Sequence, residues 1–209
     1  YFRVSIRSDP QIVKLPPIPK EVIILLDSSI SIQQERLEEF ASGVKYCLTH
    51  LHKADVFNVI AFKEDVIKFR EESVKADREN IKAAILFIEG LKASQKTDVY
   101  EALYSTIKEE RKHDPVYIFL LSDGMPTQGV TNSQEVINEI SGFNNGKVGI
   151  FAFSGGSFFN RYLLDFISYK NRGWAEYAEL IGLVAQNMGK MYNKFREPIL
   201  LSLRYYVSG

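Results

Sequence analysis

The chain has 209 residues, 45% of them hydrophobic and 25% charged, and its acidic and basic side chains balance to a formal net charge of zero. That balance removes any electrostatic drive toward nucleic acid or an anionic membrane surface, and no apolar run approaches the roughly 20 residues needed to span a bilayer. The single cysteine, Cys47, excludes an internal disulfide, so stability must come from the core of about one large domain.

The first six residues alternate, with Phe2, Val4 and Ile6 apolar, as in a half-buried strand. Pro10, Pro16, Pro17 and Pro19 then predict a stiff, extended linker. The run Val22-Ile23-Ile24-Leu25-Leu26 reads as a strand buried on both faces. Leu37, Phe40, Ala41, Val44, Leu48 and Leu51 follow a helical period. Cys47 lies on that apolar face and reads as an inert, buried thiol. A second strand is predicted over 56–62, with 66–69 close enough behind it to be an antiparallel edge. Helices follow, one with Ile81, Ala84, Ile85, Ile88 and Leu91, the next with Val99, Leu103 and Ile107. A buried strand is expected over 116–121, a helix over 132–142 ending at Gly142, and a strand over 148–153. A helix over 161–167 and a long one over 180–195 complete the core, the last with Val184, Met188 and Met191 inward. This alternation predicts a three-layer, doubly wound α/β fold: a mostly parallel sheet with one antiparallel edge strand and helices on both faces. Residues 198–209 alternate again at Ile199, Leu201 and Leu203. The expected organisation is therefore a flanking strand and linker over 1–19, the α/β domain over 20–197, and a C-terminal flanking strand over 198–209, the alternative being that both ends are extra edge strands of the core. Because the chain starts at Tyr1 rather than Met, it is expected to be part of a longer precursor with neighbouring domains.

The chemistry concentrates where strands end. The first core strand runs into Asp27-Ser28-Ser29-Ile30-Ser31, the loop before Val99 holds Lys96-Thr97-Asp98, and the 116–121 strand runs into Ser122-Asp123-Gly124. In a doubly wound sheet the carboxyl ends of separate strands converge on one crevice, so Asp27, Ser29, Ser31, Thr97 and Asp123 can face one point. Two carboxylates with three hydroxyls make a weak catalytic set and a good grip for a hard cation. Asp98 could support such a site from behind or cap the following helix.

These segments resemble the von Willebrand factor type A domain with a metal-ion-dependent adhesion site: Asp27-x-Ser29-x-Ser31, a distant Thr97, and Asp123-Gly124 match its motif. Thr97-Asp98-Val99-Tyr100-Glu101-Ala102-Leu103, Asn160-Arg161-Tyr162-Leu163-Leu164-Asp165 and Pro198-Ile199-Leu200 are similar to the inter-alpha-trypsin inhibitor heavy chain branch. Ile30 stands where many relatives carry Gly. The resemblance implies that Ser29, Ser31 and Thr97 give hydroxyl oxygens to the ion, and that Asp27 and Asp123 act directly or through water. It also implies a β-rich domain preceding this one. Octahedral oxygen coordination favours Mg²⁺, with Mn²⁺ and Ca²⁺ as alternatives. An ion held by only two carboxylates stays electrophilic, suited to an Asp or Glu carboxylate from a protein partner. The expected function is therefore cation-dependent protein binding or adhesion without enzymatic turnover, at the cell surface or outside the cell, with the cytoplasm as the alternative setting.

Competing chemistries lack their residues. A haloacid-dehalogenase-type phosphotransferase needs a carboxylate where Ser29 stands, and a dinucleotide-binding loop needs glycines that 27–31 does not contain. The Gly155-Gly156 pair reads as a plain turn. His50 and His52 are read as two apart on a helix, so they do not share a face, and His113 falls at the opposite edge of the sheet. These positions leave no base for a serine nucleophile. A metal-dependent phosphoester hydrolase and a purely structural module remain the alternatives. Phe158, Phe159 and Tyr162 are candidates for the rim of the crevice, although packing at a helix start is the plainer account. Charge runs such as Glu35-Arg36 with Glu38-Glu39 read as solvated helix faces.

Overall fold

The computed structural model describes residues 18–197. The flanking strands expected over 2–6 and 199–207, and with them the outer boundaries of the domain, lie outside the described residues.

The central strand β1 (Glu21–Asp27) is buried along its whole length. Its side chains divide by the two-residue period of a strand. Val22, Ile24 and Leu26 enter one core, whereas Ile23 and Leu25 enter the other. Beside it run β2 (Val56–Phe62) and β5 (Val116–Leu121), both parallel to β1. The sheet continues through β6 (Gly149–Gly155) to β7 (Ala175–Ala178). With β3 (Val66–Lys68) at the edge beside β2, the order is β3-β2-β1-β5-β6-β7. Helices α1 (Gln34–Thr49), α2 (Arg78–Glu89) and α6 (Val184–Phe195) cover the Val22 face. Helices α3 (Val99–Lys108), α4 (Ser133–Asn144) and α5 (Arg161–Lys170) cover the Ile23 face. The three-layer architecture expected from the alternation is the one observed.

The antiparallel edge is made of two short pieces, β3 (Val66–Lys68) and β4 (Val74–Lys75), paired with opposite ends of β2. Between them the Asn58 side chain replaces the missing ladder: its Nδ2 donates to the Arg70 carbonyl at 2.7 Å and its Oδ1 accepts from the Arg70 N–H at 3.2 Å. At the amino edge, Lys20 and Asp55 form a buried ion pair at 2.7 Å, and the Asp55 carboxylate also accepts from the His52 N–H. Together these contacts fasten the start of β1 to the start of β2.

Some element ends differ from the sequence reading. Helix α4 runs past Gly142 to Asn144 and is stopped by Asn145 in the left-handed conformation (φ 42°), a role asparagine fills when glycine is displaced. Helix α1 ends at Thr49, so His50 and His52 sit beyond it, not on it. Leu180 does not begin the last helix; a short 3-10 turn, Ile181–Leu183, precedes α6. Strand β7 went unanticipated because Ala-Glu-Tyr-Ala carries little β-branched signal. Gly173, just before it, is tight enough that an added Cβ would fall 1.9 Å from the Ile150 carbonyl oxygen.

Candidate metal centre at the carboxyl edge

From β1 the chain proceeds to β2 on one side, and β5 lies on the other. The end of β1 is thus the switch point where open α/β sheets leave a crevice. Three loops are stitched together there by backbone hydrogen bonds. The Ile30 N–H donates to the Gln95 carbonyl at 3.0 Å and the Ser94 N–H to the Ser28 carbonyl at 3.0 Å, joining the loop after β1 to the segment before α3. The Thr127 and Gln128 N–H groups donate to the Thr97 carbonyl at 2.9 and 3.0 Å, joining that segment to the loop after β5. The Thr97 N–H in turn donates to Thr127 Oγ1 at 2.9 Å.

Within this frame the Asp27 carboxylate is fully buried. Its Oδ1 accepts from the Ser29 N–H at 3.0 Å and its Oδ2 from the Ser122 hydroxyl at 2.6 Å. The Ser29 and Ser31 hydroxyl oxygens lie 3.0 Å apart, with Ser29 buried and Ser31 partly open to solvent. Asp123 is buried and its Oδ1 accepts from the Met125 N–H at 2.9 Å. That tight turn places Gly124 at φ 65°, where an added Cβ would also strike Leu164. Thr97 Oγ1 is buried and makes no hydrogen bond. Such an orphaned oxygen is costly, and a cation at the meeting point of these loops would satisfy it. Asp98 caps α3, accepting from the Glu101 N–H at 2.9 Å, and its carboxylate packs against Gly129.

The electrostatics point the same way. Burial, then the nearby Asp123 charge, push the Asp27 carboxyl up to about 7, against its hydrogen bonds from Ser122 and Ser29. Burial raises Asp123 as well, opposed by the Ser31 hydroxyl, the Met125 N–H and Arg36. Two crowded, desolvated carboxylates form a pocket of negative charge that a cation relieves. Among the described residues, no cluster of three or more His, Cys, Asp or Glu side chains occurs; the candidate site itself has two carboxylates, its other oxygens being hydroxyls.

Arg36 was read from sequence as part of a solvated face, and this is corrected: it is buried, with Nη1 4.0 Å from Asp123 Oδ2 and Nη2 donating to the Ser157 carbonyl at 2.5 Å. Its Nε and Nη1 have no hydrogen-bond partner. A signal was available, because a cation in the first turn of a helix opposes the helix dipole and so needs an anion nearby. Ser122 was also not singled out, although it adjoins Asp123; it holds both Asp27 and, through the Gly124 N–H at 2.9 Å, the turn itself.

The residues considered for the rim divide. Phe158 and Tyr162 are exposed, whereas Phe159 is half-buried and stacks on Tyr177 with ring centroids 4.8 Å apart. Ile30 is 68% exposed and lies in the turn between the two serines. It is not among the residues with positive φ, so this loop does not require glycine there.

A doubly wound sheet that gathers hydroxyls and carboxylates at its switch point defines a three-layer α/β domain with a candidate site at its carboxyl edge. The chain belongs to the von Willebrand factor type A domain family, whose profile matches residues 20–177. It is similar to human inter-alpha-trypsin inhibitor heavy chain H6, 26% identical over 208 residues, covering 93% of this chain and 16% of that protein. The human heavy chain H4 is 25% identical over 200 residues, covering 91% of this chain and 22% of that protein. The chain thus spans less than a quarter of the length of these relatives. Among solved structures, a von Willebrand factor type A protein from Catenulispora acidiphila superposes with a TM-score of 0.73 at 18% identity, over 85% of this chain and 42% of that one. Proximal thread matrix protein 1 from the mussel byssus, with a zinc-occupied MIDAS motif, superposes with a TM-score of 0.66 at 16% identity, over 86% and 46%. No helix among the described residues is long and apolar enough to cross a membrane.

Proposed function

We propose that this domain is a cation-dependent protein-binding module rather than an enzyme. In this reading Ser29, Ser31 and Thr97 offer hydroxyl oxygens to Mg²⁺, and Asp27 and Asp123 balance its charge directly or through water. Mn²⁺ and Ca²⁺ are the alternative ions. An Asp or Glu carboxylate of a protein partner then takes the remaining position. The observation that carries the reading is the buried, partnerless Thr97 hydroxyl at the junction of the two loops that bear the serines and the aspartates. The zinc-occupied motif of the mussel protein and the family to which this chain belongs support it. Similarity to inter-alpha-trypsin inhibitor heavy chains favours an extracellular setting, with further domains around 20–197.

An ion that binds only the folded state must stabilise it. Mg²⁺ at about 100 times its dissociation constant should add roughly 2.7 kcal/mol, read as a rise in melting temperature that EDTA reverses. An unchanged melting temperature across millimolar Mg²⁺ would favour a purely structural module.

Arg36 bears on affinity. Its positive charge lies against Asp123 and competes with an incoming cation, an effect on the order of 1–2 kcal/mol in a partly buried site. Arg36→Met is therefore expected to tighten Mg²⁺ binding by about tenfold in calorimetry. Unaltered affinity would mean that the guanidinium is electrostatically remote from the ion.

A further inference from the structure

Helix α5 buries Leu163, Leu164 and Ile167, as an amphipathic helix should. Its outer face is unusual. Tyr162 is 50% exposed, Phe166 45% and Tyr169 78%, at spacings of four and three that align along one side of a helix. The Tyr162 and Phe166 rings lie 5.0 Å apart, so they form a continuous patch. Just before the helix, Phe158 is 85% exposed and held at φ 60°, a conformation that bulky residues adopt only where the surroundings impose it. The loop carrying Phe158 is fastened to the candidate site by the Arg36–Ser157 bond and by the Asn160 N–H, which donates to the Asp123 carbonyl at 2.7 Å. An aromatic strip therefore starts in the loop tied to Asp123 and Arg36 and follows α5 for about 10 Å from Tyr162 to Tyr169.

Scattered exposed aromatics need no explanation, whereas a row aligned on one helix face beside the candidate site does. Aromatic side chains are the commonest energetic anchors of protein interfaces. Two basic residues and one acid of α5 flank the strip. Arg161 lies over the Phe159 and Tyr177 rings, 5.2 and 4.6 Å from their centroids, Lys170 Nζ donates to Asn138 Oδ1 at 2.9 Å, and Asp165 accepts from the Tyr177 hydroxyl at 2.6 Å, which leaves a net positive charge beside the strip.

We propose that this strip is the second half of the partner-binding surface. Its occupant is an acidic, amphipathic protein segment. One carboxylate of that segment reaches the ion, its apolar side chains cover Phe158, Tyr162, Phe166 and Tyr169, and its other acids face Arg161 and Lys170. The proposal rests on the ion-dependent reading of the site.

The test uses phage-displayed random twelve-residue peptides, each with one fixed Glu, selected on the 209-residue chain in Mg²⁺. Selected peptides should carry apolar residues to one side of the Glu and elute with EDTA. They should lose roughly tenfold or more in affinity for the Phe166→Ser/Tyr169→Ser variant, whose Mg²⁺-induced melting shift stays intact. Peptides that elute with EDTA but bind that variant undiminished would overturn the strip and leave the ion reading standing. Peptides sensitive to the variant yet indifferent to EDTA would overturn the ion reading, and the proposal with it. Sedimentation showing a dimer of this chain that the variant dissolves would assign the strip to a second copy and refute the proposed occupant.

Discussion

Stripped of divalent ions, the domain should lose stability as pH rises from about 5 to 8, by roughly 2.5 kcal/mol from Asp27 alone. In the folded domain burial and the Asp123 charge push the Asp27 carboxyl up to about 7, while in an unfolded chain an aspartate titrates near pH 4. The folded state therefore holds this proton more tightly. The resulting stability is fully present below the unfolded value and is lost as pH climbs through the folded one, where the domain must carry a buried anion. Asp123, also raised, shifts stability in the same direction. Saturating Mg²⁺ should flatten or reverse the profile, because the ion binds the deprotonated carboxylates and displaces their protons. Urea denaturation at pH 5, 6.5 and 8, with EDTA and with Mg²⁺, measures both. Equal stability at all three values in EDTA would mean that these carboxyls titrate in the folded domain as they do in the unfolded chain.

The second large effect concerns Asp27→Asn. Asparagine keeps the shape and can still accept from the Ser29 N–H, as Asp27 does at 3.0 Å, but it removes a desolvated charge crowded by Asp123. Without ions at pH 8 the variant should be more stable than the parent by about 2 kcal/mol, part of the penalty carried by the charge. It should also lose the Mg²⁺-induced rise in melting temperature. This pairing of gained stability with lost binding is what a strained functional site produces. A variant that is destabilised at pH 8 while retaining Mg²⁺ stabilisation would show that Asp27 serves the fold and not the ion.

Much of this was legible in the sequence because burial on both sides of a parallel sheet imposes long apolar runs. Residues 22–26 and 116–121 could hardly be anything but central strands, and the oxygen-rich residues after them had to fall at the carboxyl edge. The spacing of Thr97 from both could be interpreted only through the fold, since the loops that bring it in are joined by backbone hydrogen bonds that carry no side-chain signature. Arg36 escaped for a related reason: a charged residue among charged neighbours looks solvated until its helix is placed against Asp123. The α5 strip was half visible at Phe158 and Tyr162, but Phe166 was not singled out and Tyr169 lies beyond the helix expected over 161–167, which in fact runs to Lys170. Their exposure depends on how α5 packs against the sheet, which periodicity alone does not fix when apolar side chains occupy both faces of the helix.

The central claim is that one divalent ion binds where the loops after β1 and β5 meet the segment before α3. Crystals of the chain soaked in Mn²⁺ should give a single strong anomalous peak within bonding distance of the Ser29, Ser31 and Thr97 hydroxyl oxygens, with Asp27 and Asp123 beside it. A peak at another place, or none at millimolar Mn²⁺ with these side chains ordered, would contradict the account.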